Sequence, residues 1–87
     1  MIRSQSFIKR EIGTQTVIVA VGEATKTFNG MISVNKTGSY IWDLLENDIT
    51  LDAITEALVA RYEIDAETAR ADAAEFIEAL KGVGAVA

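Results

Sequence analysis

The side chains that could perform chemistry in this chain are carboxylates, lysines, tyrosines and hydroxyls, because its 87 residues include neither Cys nor His. A protein without Cys cannot form a disulfide, a thiolate zinc site or an Fe–S cluster. A protein without His lacks the side chain most often used as a general base and as a metal ligand. Any catalysis would have to rest on the remaining groups, and this disfavours an enzyme.

Two groups of neighbouring carboxylates are candidates for a cation site. Asp43, Glu46 and Asp48 form the first group, and Asp65 and Glu67 form the second. Calcium needs about six to eight oxygen ligands from an ordered loop, and neither group has the EF-hand spacing with its glycine. Helix caps and solvated helix faces explain both groups better. The chain also lacks the glycine-rich phosphate-binding motifs, so we expect no metal and no cofactor.

Charge is distributed unevenly along the chain. Residues 1–36 carry five basic and two acidic side chains, a net charge of +3, and residues 37–87 carry three basic and eleven acidic ones, a net charge of −8. The sum is the net charge of −5. A nucleic-acid-binding protein needs a basic surface that displaces counterions. The acidic second half therefore disfavours nucleic acid as a partner.

No segment has the features of a membrane span or a secretory signal. The longest apolar run, residues 17–21, is far shorter than the roughly 20 residues that a membrane helix needs. The first residues lack the apolar stretch of a signal peptide. We expect a soluble cytoplasmic protein that does not bind a membrane.

The first 36 residues predict a small antiparallel sheet. Runs rich in β-branched residues alternate with Gly and Asn, which predicts strands at residues 7–12, 16–21 and 31–35, with Gly13-Thr14 turning the first hairpin. In the third strand, Ile32 and Val34 have the same parity, so they are expected to face the core while Met31 and Ser33 face away.

The rest of the chain has apolar residues at helical spacing. The predicted helices cover residues 36–46, 51–62 and 66–81. Asn35 or Thr37, then Thr50, then Asp65 are the predicted N-caps, and Gly82 is the predicted stop of the last helix. The order βββααα predicts one α+β domain spanning residues 1–87, a winged helix-turn-helix with a three-stranded antiparallel sheet.

A winged helix suggests a DNA-binding transcription regulator, which is one functional hypothesis. A recognition helix presents Arg, Lys, Asn or Gln to the bases. Residues 65–80 instead contain five acidic side chains and one basic residue, Arg70. The predicted shape permits a DNA-binding protein, and the charge argues against one.

Two aromatic residues could belong either to the core or to a binding surface. Trp42 lies slightly off the apolar stripe of the first helix, and core packing is favoured for it because large aromatics dominate small cores. Phe76 lies on the inward stripe of the third helix. It is expected in the core, or as the floor of a groove between that helix and the sheet.

Residues 29–45 resemble the PqqD family. The family pattern is a hydrophobic strand, then Leu-Asn-x-Thr-Gly, then Ile-Trp-x-Leu-Leu. The corresponding residues here are Val34-Asn35-Lys36-Thr37-Gly38 and Ile41-Trp42-Asp43-Leu44-Leu45, with Val in place of the usual Leu. Further matches follow in register at residues 49–54, 57–62, 72–80 and 84–86, so that the resemblance covers about residues 15–87.

The resemblance implies a RiPP recognition element, a small winged-helix protein without catalytic activity. Such a protein binds the leader segment of a ribosomally made precursor peptide and presents it to a modifying enzyme, often a radical-SAM enzyme. The leader is implied to add as a strand beside the third strand and to lie against the last helix. This peptide chaperone is the second functional hypothesis, and the preferred one.

The expected peptide-binding residues follow from that arrangement. Met31, Ile32, Ser33 and Val34 are expected to pair with the peptide backbone, and Ala69, Asp72, Ala73 and Phe76 are expected to line the groove. The small Ala69 and Ala73 would leave room for apolar side chains of the ligand. An open edge strand can also pair with its own copy, so a homodimer stays possible.

Overall fold

The computed structural model describes all 87 residues and contains three strands followed by three helices. The strands are β1 (Phe7–Ile12), β2 (Gln15–Ala20) and β3 (Met31–Val34). The helices are α1 (Lys36–Leu44), α2 (Leu51–Tyr62) and α3 (Ala66–Gly82). This order confirms the predicted α+β class. The bounds of β1 and α2 are as predicted, and those of the other elements differ by one or two residues.

The sheet is antiparallel, with the strand order β1-β2-β3. Ile12 and Gln15 close the β1–β2 hairpin around a two-residue turn. Gly13 occupies the first position of that turn at φ 63°, where a left-handed backbone favours glycine and matches the twist of the strands. Because β2 is central, β1 and β3 are both edge strands.

The connection between β2 and β3 contains a single 3-10 turn at Gly22–Lys26. The backbone N–H of Phe28 donates to the Ala24 carbonyl at 2.9 Å, so the chain folds back after this turn. The Phe28 ring packs against Phe7, with 6.1 Å between ring centroids. This contact fixes the approach of the chain to β3.

Each helix begins at a predicted cap. The side chains of Asn35, Thr50 and Asp65 accept hydrogen bonds from backbone N–H groups three residues later, at 2.8, 3.1 and 3.0 Å. Asn35, and not Thr37, is therefore the cap of α1. These bonds satisfy N–H groups that the first helical turn leaves without partners.

The end of α3 differs from the prediction. Gly82 is the last helical residue, and the left-handed glycine is Gly84, at φ 80°. The N–H of Gly84 donates to the Lys81 carbonyl and the N–H of Ala85 to the Leu80 carbonyl. This pair of bonds is a Schellman motif, which requires the left-handed residue two positions after Gly82.

The core lies between the sheet and the helices. Its largest fully buried side chains include Trp42, Ile18, Ile54, Leu58 and Leu80. Trp42 is only 2% exposed, which confirms that it packs in the core. The two chain ends meet beside it, where residues 2 and 87 exchange backbone hydrogen bonds of 3.1 Å.

None of the three helices combines the length and the apolar character needed to cross a membrane.

Candidate functional site

The hydrogen bonds of β2 alternate between its two neighbours. Its odd-numbered residues bond to β1, beginning with Gln15 in the closing pair of the hairpin. The alternation continues to Val21, whose N–H donates to the Ser6 carbonyl at 2.7 Å. The even-numbered residues of β2 therefore point their backbone groups at β3.

The outer edge of β3 is unpaired. Ile32 and Val34 stand opposite even-numbered residues of β2, so their backbone groups bond within the sheet. The amides and carbonyls of Met31 and Ser33 point away from β2, and no hydrogen bond of a turn, loop or cap uses them. This edge thus offers two donors and two acceptors to an added strand.

The side chains of β3 have the predicted parity. Ile32 and Val34 are half-buried and pack against the core, whereas Met31 is 62% exposed. Ser33 is also exposed, and its hydroxyl accepts a hydrogen bond of 2.6 Å from the side-chain amide of Gln15. An added strand would therefore meet Ile32 and Val34 on the α3 side of the sheet.

An apolar groove of about 720 Å³ lies between β3 and α3, and we call it the β3–α3 groove. Its apolar lining consists of Ile32, Ile41, Tyr62, Ile64, Phe76 and Ala79. Asp72 and Glu75 are the charged residues of its lining. A concave apolar surface with a few polar groups is the usual form of a ligand site.

Gly38 allows Phe76 to lie in this groove. A Cβ atom at Gly38 would lie 3.3 Å from the Cβ of Val34 and 3.4 Å from Cε1 of Phe76. The first distance is tighter than ordinary van der Waals contact and the second lies at its limit, so a side chain at this position would require the strand or the ring to shift by a few tenths of an ångström. The glycine of the Thr-Gly pair in the sequence motif therefore has a packing role at the groove.

Four of the expected peptide-binding residues lie on α3, and the structure separates them into two pairs. Asp72 and Phe76 line the β3–α3 groove. Ala69 and Ala73 are fully buried in the core and are absent from the groove lining, which corrects their expected position. With 3.6 residues per turn, they share the inward face of α3 with Ile77, and Phe76 lies on the adjacent face.

The expectation missed four apolar residues of the groove: Ala79, Ile41, Tyr62 and Ile64. The last two flank Glu63, which ends α2 in the left-handed conformation at φ 52°. This residue reverses the chain direction, so that the residues on both sides of it face the groove. The available sequence signal was Ile64, an apolar residue in the short connection between two predicted helices.

A second depression, of about 1070 Å³, lies where the C-terminal end of β3 meets α1 and the end of α2, and we call it the β3-end basin. Its charged lining residues are Glu11, Lys36, Asp43 and Arg61. The guanidinium of Arg61 lies 4.7 Å from the ring centroid of Tyr40. Asp43 is paired with Lys9 at 2.7 Å.

Two carboxylates, Asp48 and Asp65, have lowered pKa values. Hydrogen bonds from the Thr68 hydroxyl and the Thr68 backbone amide lower the pKa of Asp65 at the start of α3. The chain's N-terminal ammonium lowers the pKa of Asp48 by hydrogen bonding and by its charge. No cluster of three or more acidic side chains is arranged to hold a metal ion. The chemistry that the groove and the open edge offer is binding.

Comparison with known proteins agrees with this geometry. The family described as Coenzyme PQQ synthesis protein D (PqqD) matches residues 15–86, which is most of the chain. The chain belongs to the PqqD family. No curated protein matches it.

Two solved structures share the PqqD-like fold of this chain. The structure of TbiB1 in complex with the TbiA(beta) leader peptide has a TM-score of 0.72 and 26% identity, covering 94% of this chain and 90% of TbiB1. A lasso peptide synthetase B1 complexed with the leader peptide has a TM-score of 0.73 and 18% identity, covering 95% of this chain and 92% of the synthetase chain. At that lower identity, the second comparison shows the fold alone.

Proposed function

We propose that this PqqD-family protein is a peptide chaperone that binds the leader segment of a ribosomally made precursor peptide. The observation that carries the proposal is the unpaired edge of β3 beside an apolar groove. Its family membership and its likeness to TbiB1, solved in complex with a leader peptide, support the same role.

The leader adds to the sheet as a fourth strand. The free amides and carbonyls of Met31 and Ser33 bond to the peptide backbone, which lies about 4.8 Å from β3. Each such bond contributes about 0.5–1.5 kcal/mol net and makes little demand on the peptide sequence. These bonds set the register of the peptide.

Apolar side chains of the leader supply the selectivity. Alternate residues of an added strand point to one face, and on the α3 side they meet Ile32, Phe76 and Ile64. Burying one Leu- or Phe-sized side chain contributes about 1.5–3 kcal/mol. Two such anchors contribute about 3–6 kcal/mol, which is comparable to the four backbone bonds. Because only the anchors depend on the peptide sequence, the apolar spacing of the leader determines which peptide binds.

The protein acts as an adaptor and not as an enzyme in this proposal. A separate enzyme modifies the presented precursor, and the family resemblance favours a radical-SAM protein. Because ribosomal precursors are made in the cytoplasm, the protein acts there. A second copy of the chain competes for the same β3 edge, so a homodimer would form only in the absence of leader.

A proline substitution tests the strand-addition proposal. Met31→Pro removes a backbone N–H that the sheet does not use, at the first residue of an edge strand, where proline is tolerated. Met31→Val keeps the N–H and is the matched control. The probes are labelled synthetic leader segments, namely the TbiA(beta) leader and the leaders of precursors encoded beside this gene, titrated by fluorescence anisotropy.

We expect at least one leader to bind, Met31→Pro to weaken it by about tenfold, and Met31→Val to leave it nearly unchanged. Amide NMR shifts induced by that leader should cluster on β3 and on the groove face of α3. Shifts confined to β1 and α2, with β3 silent, would contradict the proposal. Circular dichroism of both variants confirms that they are folded.

A further inference from the structure

The β3-end basin concentrates cations that have no carboxylate partner. Of the eight Lys and Arg residues, Lys9, Lys26, Arg70 and Lys81 form ion pairs. Arg3 donates to the Trp42 carbonyl at 2.9 Å. Only Arg10, Lys36 and Arg61 remain, and the last two both line the basin.

Aromatic rings hold Arg61 in position. Its guanidinium lies 4.7 Å from the Tyr40 ring centroid and 5.7 Å from that of Tyr62. The two tyrosine rings contact each other edge to face at 6.0 Å. The two rings restrict the guanidinium, and none of its N–H groups is used in a hydrogen bond or ion pair. Its N–H groups are therefore available for bidentate recognition of a carboxylate.

The acidic residues of the basin do not cancel these cations. Asp43 is already paired with Lys9. Glu11 is the other acidic residue of the lining, and it has no ion pair. If the Lys9–Asp43 pair is counted as neutral, Lys36, Arg61 and Glu11 give the basin a net charge of +1. The basin therefore favours one added negative charge.

The basin is continuous with the β3–α3 groove. Ser33, Asn35 and Tyr62 line both depressions, so one extended peptide that pairs with β3 passes from one into the other. The groove has the opposite charge character, because Asp72 and Glu75 line it and no cation does. A peptide carboxylate is thus repelled along the groove and attracted at the basin.

We infer that the basin is a subsite for a carboxylate side chain of the bound peptide. The inference rests on the proposed function and specifies its substrate class: an apolar strand with no acidic residue along the groove and an Asp or Glu at the basin end. Neighbouring strands in this sheet are antiparallel. A peptide that adds antiparallel to β3 has its N-terminal end at the basin. Its acidic residue then precedes the apolar anchors in sequence.

A displayed library of random dodecapeptides tests this without knowledge of the natural ligand. The library is selected on the wild-type protein, on Lys36→Met/Arg61→Met and on Lys36→Glu/Arg61→Glu. The matched control is Lys26→Glu/Lys81→Glu, which changes the net charge as much as the reversal variant but at exposed residues outside both depressions. Circular dichroism verifies the fold of each variant.

We expect wild type and control to enrich peptides with an Asp or Glu on the N-terminal side of an apolar segment. The Met variant should lose the acidic preference, and the Glu variant should enrich Lys or Arg there. Replacing the acidic residue of one enriched peptide by its amide should weaken binding about tenfold in wild type and not in the Met variant.

Other outcomes separate the inference from the proposed function. Apolar peptides enriched equally by wild type and both basin variants, without an acidic position, would overturn the carboxylate subsite and leave the leader-binding proposal standing. A pool in which no peptide is enriched, or whose peptides bind Met31→Pro as well as wild type, would overturn both.

Discussion

Trp42 anchors the core through its size and its contacts. Its side chain is 2% exposed, and the guanidinium of Arg3 lies 5.5 Å from its ring centroid. We expect Trp42→Ala to lower the free energy of unfolding by about 3–5 kcal/mol, because it removes buried contacts and leaves a cavity. Urea denaturation at neutral pH measures this change.

The control for this prediction is Trp42→Phe, which retains an aromatic ring and should cost less. A Trp42→Ala variant with the denaturation midpoint of wild type would contradict the packing described here.

Asp65 makes the stability of the protein depend on pH in the acidic range. The Thr68 hydroxyl and backbone amide bond to its carboxylate and lower its pKa below the ordinary value of 3.8. Because the pKa of Asp65 is lower in the folded protein than in the unfolded chain, its ionised carboxylate stabilises the fold fully at pH values above the unfolded-state pKa. This stabilisation is lost as the pH falls through the folded-state pKa.

We therefore expect the urea midpoint of wild type to fall below pH 4 more steeply than that of Asp65→Asn. Asparagine retains a capping oxygen that does not titrate in this range. Identical pH profiles for the two proteins between pH 5 and about pH 2 would show that the cap does not depend on the charge.

At the residue scale, the sequence predicted residue types better than residue surroundings. The parity of Ile32 and Val34 follows from the two-residue period of a strand and was correct. Ala69 and Ala73 were expected in the groove but lie in the core, on the adjacent face of α3. A helical stripe alone does not show where the core ends and a groove begins. That boundary depends on how α1 packs over α3 at Gly38.

The loop between α2 and α3 contains a residue in a strained conformation. Glu63 is exposed and adopts φ 52°, a region that costs a residue with a Cβ about 1–2 kcal/mol. Glycine adopts this conformation freely but has more entropy to lose on folding, about 0.5–1 kcal/mol. We expect Glu63→Gly to raise the free energy of unfolding by up to about 1 kcal/mol.

Thermal denaturation followed by circular dichroism checks this prediction. Glu63→Ala is the control, since it removes the same side chain and retains the strain, so it should not raise the melting temperature. A glycine variant less stable than the alanine variant would contradict the assignment of strain to this residue.

At the element scale, local signals were sufficient for the order and the ends of the elements. Asn35, Thr50 and Asp65 cap their helices because their side-chain oxygens reach N–H groups three residues later. Helix α3 does end at Gly82, but the left-handed residue after the helix is Gly84, because two glycines lie near this end and only the Schellman bonds select Gly84. The β3-end basin was not predicted, since its side chains come from five different elements.

At the scale of the whole molecule, charge and shape separate two functional hypotheses. The winged-helix arrangement is compatible with DNA binding, but α3 carries Glu67, Asp72, Glu75 and Glu78 against Arg70 and Lys81. Arg70 is bonded to Asp52. Of the cations without a carboxylate partner, Arg10 lies on β1, and Lys36 and Arg61 line the β3-end basin. None of them lies on α3, so no continuous basic surface covers the helix that would enter a groove of DNA.

We therefore expect no gel shift of duplex DNA by this protein at about 150 mM salt, because α3 would repel the phosphates. The matched variant Asp72→Lys/Glu75→Lys raises the charge of α3 by four and should gain weak, sequence-independent binding at low salt. That binding should disappear as salt rises toward about 200 mM, since it depends on counterion release. A sequence-specific shift by wild type that survives near-physiological salt would instead favour the regulator hypothesis, and would require a DNA-binding surface other than α3.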